Sequence, residues 1–178
     1  DNMDNLRIGA VGFNDILFPQ RLKAVMPPVN MLFWRGTFCV RNRICGVTGK
    51  RMISSAEIAL ISRAAQITAR QRIGIADGMA LGTDAVFLQS YLRAGGEGAI
   101  GVLPCGCNVV YPPDNAFLFD RILYCGGMLI SEYFIGSFPE RYKFVMRDRI
   151  IAGLSDVLLA LGMENDSGTK ITADFALD

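Results

Sequence analysis

The chain has 178 residues, 51% of them hydrophobic, which is enough for one domain with a sizeable core. A net charge of +1 singles out no partner, and the absence of histidine excludes Ser-His-Asp and Cys-His catalysis and imidazole-ligated zinc. Cys39, Cys45, Cys105, Cys107 and Cys125 lack zinc-site spacing, nothing resembles a signal peptide, and no apolar run reaches the ~18 residues of a membrane span, so reduced thiols in a cytoplasmic protein are expected.

Residues 1–42 stand apart, as an N-terminal extension packed on the core. "DILFPQRLKAV" reads as a short helix and "MLFWRGTF" as a strand pairing at a sheet edge. The charge is uneven: from Arg21 to Arg72 ten basic residues meet one acid, Glu57, whereas residues 81–178 carry seven basic and twelve acidic. An anionic partner on one side explains this, and so does a solvated basic face balanced by an acidic one.

From residue 43 onward strands and helices alternate. "RICGVT" (43–48) is a short buried strand, and "SSAEIALISRAAQITARQ" (54–71) a helix capped by Ser54 or Ser55. "RIGIAD" (72–77) is a strand; "GMALGTD" (78–84) leads into a helix ending near Arg93. "GAIGVLP" (98–104) is a strand, "CGCNVVYPPDN" (105–115) a loop, and Asn115 caps a helix to about Tyr124. "GGMLISE" (126–132), "RYKFVMRDRIIAGLS" (141–155), "DVLLALGM" (156–163) and "SGTKITADFALD" (167–178) continue as strand, helix, strand and helix. The alternation predicts an α/β fold: one domain with a doubly wound, mainly parallel, Rossmann-like sheet over 43–178. The pattern stops inside a helix, so an incomplete C-terminal end is expected.

In such sheets ligands sit beyond the carboxyl ends of the strands, where helix N-termini favour anions. "GVTGKRMISS" suits that place. It is neither G-x-x-x-x-G-K-[ST] nor G-x-G-x-x-G, so Gly49, Lys50, Arg51 and Ser54 offer N–H groups and charge without magnesium chemistry, unless the loop is a plain basic turn. "GMALGTD" adds Gly78 and Gly82, which permit close backbone approach, and Asp84, as a helix cap or a brace for the basic loop. Asn115 is a helix cap first and a ligand contact second, and "NDSGTKIT" supplies Ser167 and Gly168 at another helix start. "RYKFVMRDR" sets Arg141, Lys143, Arg147 and Arg149 around Tyr142 and Phe144. This is a backbone-tracking, base-stacking surface, or a core phenylalanine with arginines paired to carboxylates.

Together these segments resemble the DNA processing protein A family (DprA, also called Smf). "FPQRLKAVMPPVNMLFWRG", "GVTGKRMIS", "GIADGMALGTDAVFLQSYLRAGGEGAIGVLPCGCNVVYPPDN" and, most specifically, "GMLISEYFIGSFPERYKFVMRDRIIAGLSDVLLALGMENDSGTKITADFAL" follow the family's pattern over most of the chain. The resemblance implies a domain that binds single-stranded DNA, is not an enzyme and needs no cofactor. It also implies protection of incoming strands, help in loading the RecA recombinase during natural transformation, and a homodimer. Carried over residue by residue, the pocket is Gly49, Lys50, Arg51, Gly78, Gly82 and Asn115, joined by Arg147, Arg149, Ser167 and Gly168, with Arg141, Lys143 and Phe144 in the adjoining groove. Lys50 replaces the family's usual serine, Asp148 interrupts its R-N-R element, and a histidine after the second glycine-rich loop is missing. A small-nucleotide binding or processing domain of the same superfamily is the alternative, although a double glycine and glutamate of the hydrolase loop are absent from "ENDSGTKITAD".

Overall fold

Five parallel strands realise the alternation that starts at residue 43. The computed structural model describes residues 7–162 and 168–177. The strands are β3 (Ile44–Gly49), β4 (Gly74–Asp77), β5 (Ala99–Val102), β6 (Met128–Ser131) and β7 (Val157–Leu161). The helices between and after them are α1 (Ser55–Arg70), α2 (Thr83–Arg93), α3 (Ala116–Tyr124), α4 (Arg141–Leu154) and α5 (Gly168–Leu177). Before them, β1 (Ile8–Gly12) and β2 (Met31–Gly36) are joined through a 3-10 turn at Gln20–Ala24. The sheet order is β1-β2-β6-β5-β4-β3-β7. β2 runs antiparallel to β6, and β1 antiparallel to β2.

The expected edge strand is therefore not at the edge. "MLFWRG" lies between β6 and β1, and β1 itself carries no clear period in "IGAVG", so it escapes a sequence reading. The expected helix in 15–25 shrinks to the 3-10 turn, because Pro19 immediately precedes it.

Strand residues alternate between two cores, which is what a sheet wrapped on both faces requires. Val47, Ile75 and Leu129 point to one side, with Ile61, Ala65, Phe87, Leu88, Leu118 and Ile122 from α1, α2 and α3. Ile44, Ala76, Ile100, Val102, Met128 and Ile130 point to the other, with Ile150, Ile151 and Leu154 of α4 and Phe18, Leu22 and Val29 from the first 42 residues. That segment is therefore part of the core as well as of the sheet. Arg21 reinforces the join, donating to Leu154 O at 3.1 Å and Asn42 O at 2.7 Å and pairing with Asp156 at 2.8 Å.

Candidate functional site

The strand order fixes where a ligand can enter. β3 has β4 on one side and β7 on the other, so the chain leaves the carboxyl ends of β3 and β7 toward opposite faces and opens a crevice between them. The loop after β3, residues 49–54, lines it, and α5 begins there at Gly168. Ser167 lies outside the described residues. Each of the five helices starts at this end of the sheet, aiming its positive end toward the same rim.

The first loop is stiffened from within. Ser54 caps α1 in a reciprocal box: its hydroxyl accepts from Glu57 N at 3.4 Å, and its own N donates to Glu57 Oε2 at 2.8 Å. Lys50 Nζ sits 2.7 Å from Glu57 Oε1. That ammonium, then the Ser54 amide, hold Glu57 down at about 2. Lys50 and Ser54 thus face a carboxylate of their own chain, whereas Arg51 and Met52 are exposed.

A second loop is clamped to the first. Lys50 O accepts from Thr83 N at 3.1 Å and from Thr83 Oγ1 at 3.0 Å. Gly82 has φ 80°, and a Cβ there would strike the Arg51 and Lys50 carbonyls. A Cβ on Gly78 would strike the Arg147 guanidinium. These two glycines are required by close approach of protein to protein.

Beneath the loops lies a buried ionic cluster. Arg147 Nη1 donates to Gly78 O and, at 3.1 Å, to Val102 O, and its Nε lies 2.9 Å from Asp148 Oδ1. Asp77 Oδ1 accepts from Met79 N at 2.6 Å, and Asp84 Oδ2 from Ala80 N at 3.3 Å. Asp77 Oδ2 and Asp84 Oδ1 are buried and without a hydrogen bond. Burial, then the charge of Asp84, pushes Asp77 well above the carboxylate range; burial also lifts Asp84 to about 6 against the pull of Arg147. Asp148 is raised by burial too, with Arg147 and a hydrogen bond from Thr172 of α5 opposing the shift. Asn115 stands at the N-cap of α3, but its side chain makes no capping bond; its Nδ2 donates instead to Met79 O at 2.9 Å and Ala80 O at 3.1 Å, fixing the crest of the second loop.

Along α4 the expected groove is only partly surface. Arg141 and Tyr142 are exposed. Lys143 turns inward, 2.8 Å from both Phe138 O and Glu140 Oε1 and 5.0 Å from the Tyr133 ring. Arg149 is 1% exposed, pairs with Glu132 and donates to Pro27 O at 2.9 Å. The helix must cover the sheet, so one side of "RYKFVMRDR" is buried and its long cations there find carboxylates and carbonyls. Phe144 is half-buried against Tyr111, ring centroids 5.6 Å apart.

Of the residues singled out from sequence, Gly49, Lys50, Arg51 and Ser54 lie on the loop that borders the crevice, while Gly78, Gly82 and Asn115 belong to the second loop and its support. Arg147 lies beneath the loops and Arg149 away from them, against Glu132. Three residues escaped: buried Asp77, and exposed Tyr111 and Met52. An aspartate at the end of an apolar strand, directly before glycine, was the available signal for the first. The arrangement can hold an anion on backbone N–H groups and guanidinium charge, with aromatic rings beside it.

A family model described as DNA recombination-mediator protein A matches residues 10–178. Protein Smf from Synechocystis sp. is 34% identical over 164 residues, covering 89% of this chain and 41% of that protein. The crystal structure of DNA processing protein A from Streptococcus pneumoniae superposes with TM-score 0.88 at 26% identity, over 99% of this chain and 62% of that one. DNA processing protein A from Helicobacter pylori, studied for its single-stranded DNA binding mode, shares the fold with TM-score 0.84 at 22% identity, over 96% of this chain and 76% of its own. The chain thus spans less than two thirds of the length of the first two.

Proposed function

This chain belongs to the DNA recombination-mediator protein A family, and from that premise we propose that it binds single-stranded DNA across the carboxyl rim of its sheet and holds it without cutting it. The observation that carries the reading is the exposed Arg51, on a loop clamped to its neighbour at the crevice between β3 and β7. Phosphates meet Arg51, Arg141 and the helix N-termini; unpaired bases stack on Tyr111 and Tyr142, with Phe144 behind Tyr111. Asp77 and Asp84, each bonded to a backbone N–H beneath the loops, shape the rim and are shielded from the strand.

The test is a fluorescence-anisotropy titration with oligo-dT and with duplex DNA at two salt concentrations. We expect preference for the single strand and a steep loss of affinity with salt, because each phosphate contact releases a counterion. Arg51→Ala should weaken binding and flatten the salt dependence by about 0.7. Absence of oligo-dT binding at low salt would overturn the reading. Stabilisation by AMP-type ligands that oligonucleotides do not give would replace it with small-nucleotide binding. Protection of incoming strands in transformation, delivery of the strand to a RecA recombinase, and self-association as a homodimer extend the proposal; co-sedimentation with RecA and analytical ultracentrifugation test the last two.

A further inference from the structure

We propose a second phosphate-binding site at the opposite end of the sheet, in the cleft lined by Arg41, Arg70 and Arg72, and assign to it phosphates of a nucleic-acid strand. The strand as their source rests on the function proposed above; the phosphate chemistry does not. The cleft has a volume of about 480 Å³ and is lined as well by Ala69, Gly95 and Glu97. It lies beside the amino end of β3, whose six residues separate it from the rim by about 20 Å.

Three features make this more than scattered surface charge. Arg41 is positioned by the fold: its stem lies where Cβ atoms on Gly74 and Gly98 would intrude. Its Nη2 is 2.9 Å from Glu97 Oε2, and its Nε is buried without a hydrogen bond. Arg72 stands at φ 55°, just past the end of α1, in the left-handed conformation that glycine usually fills there. The chain keeps an arginine at this strained position, exposed beside the cleft. Arg43 is tied to the neighbouring backbone, its Nη2 donating to Gln71 O at 3.4 Å. Helix C-termini attract basic residues by their dipoles, which accounts for Arg70 on α1 and Arg93 on α2. It does not account for Arg41, which belongs to no helix. The wall at Gly95 leaves room: a Cβ there meets nothing within 4 Å.

The test uses Arg70→Gln with Arg72→Gly, which removes two charges while glycine suits the backbone at 72. Pyrophosphate titrated into the wild-type chain should shift the Gly95 amide resonance, and should not in the double variant. With a long oligo-dT, the double variant should flatten the slope of log affinity against log salt by about 1.4, at ~0.7 per lost contact. In an Arg51→Ala background it should weaken the residual binding further, by the same change in slope. A Gly95 amide unmoved by pyrophosphate overturns the site, as does a double variant that changes thermal stability alone. A Gly95 shift with an unchanged oligo-dT slope overturns the strand as the source of the phosphates. Failure of the wild-type chain to bind any oligo-dT, with the Gly95 shift intact, would retire the proposed function and leave the phosphate site in place.

Discussion

At the scale of single residues the rim is decided by what lies under it. Arg147 is one guanidinium shared among Gly78 O, Val102 O and the charges of Asp77, Asp84 and Asp148. Gly78→Ala pushes a methyl group into that guanidinium, and we expect a loss of at least ~2 kcal/mol in denaturant unfolding, as for overpacked cores. Asn115→Ala removes both donors to the loop crest and should cost ~2 kcal/mol, with weaker oligo-dT binding because the loop is no longer fixed. The acidic pair makes stability depend on pH in a definite direction. Asp84 rises from 3.8 to about 6 on folding, so between those values the folded chain binds the extra proton. The Asp84 contribution to stability therefore falls as pH rises from about 4 to about 6, and the raised Asp77 carries the fall in the same direction to higher pH. Asp84→Asn removes the Asp84 part of this drift, so its thermal midpoint should gain on wild type across that interval; a gap that stays constant with pH would contradict the assignment.

At the scale of elements, the start of α1 does two jobs with one carboxylate. Glu57 completes the capping box and also holds Lys50. Ser54→Ala should cost ~1 kcal/mol through the lost cap, with little change in oligo-dT affinity. Glu57→Gln keeps a side chain able to complete the box but releases the ammonium, so affinity for oligo-dT at low salt should rise. Both are read by paired unfolding and anisotropy measurements. α4 shows the converse: alternating cations along a helix cannot all reach solvent when the helix covers a sheet. The resemblance implies Arg149 in the pocket and Arg141 in the adjoining groove, whereas Arg141 is exposed and Arg149 is the largest fully buried side chain described.

At the scale of the whole molecule, the arginines divide into those that build the fold and those left for a ligand. Arg149→Ala strands Glu132 without its partner and should cost ~3–5 kcal/mol in stability. Arg51→Ala should leave the thermal midpoint nearly unchanged and lower affinity instead. Measured side by side, the two variants separate structural charge from binding charge, and equal effects on stability would erase the distinction. The crevice itself exists only because β7 returns to the far side of β3, a property of strand order rather than of any segment.

The sequence by itself determined the alternation from residue 43, the helix starts at Ser54 and Arg141, and the glycine positions at 49, 78 and 82. Each follows from local periodicity, capping chemistry or backbone allowance. Strand order, the placement of β2 inside the sheet, and the fate of each arginine came only with the tertiary structure. Burial depends on which faces meet across long sequence separations: Arg149 reaching Pro27, Arg147 reaching Gly78, Lys50 reaching Thr83. No periodicity within one segment encodes such a meeting.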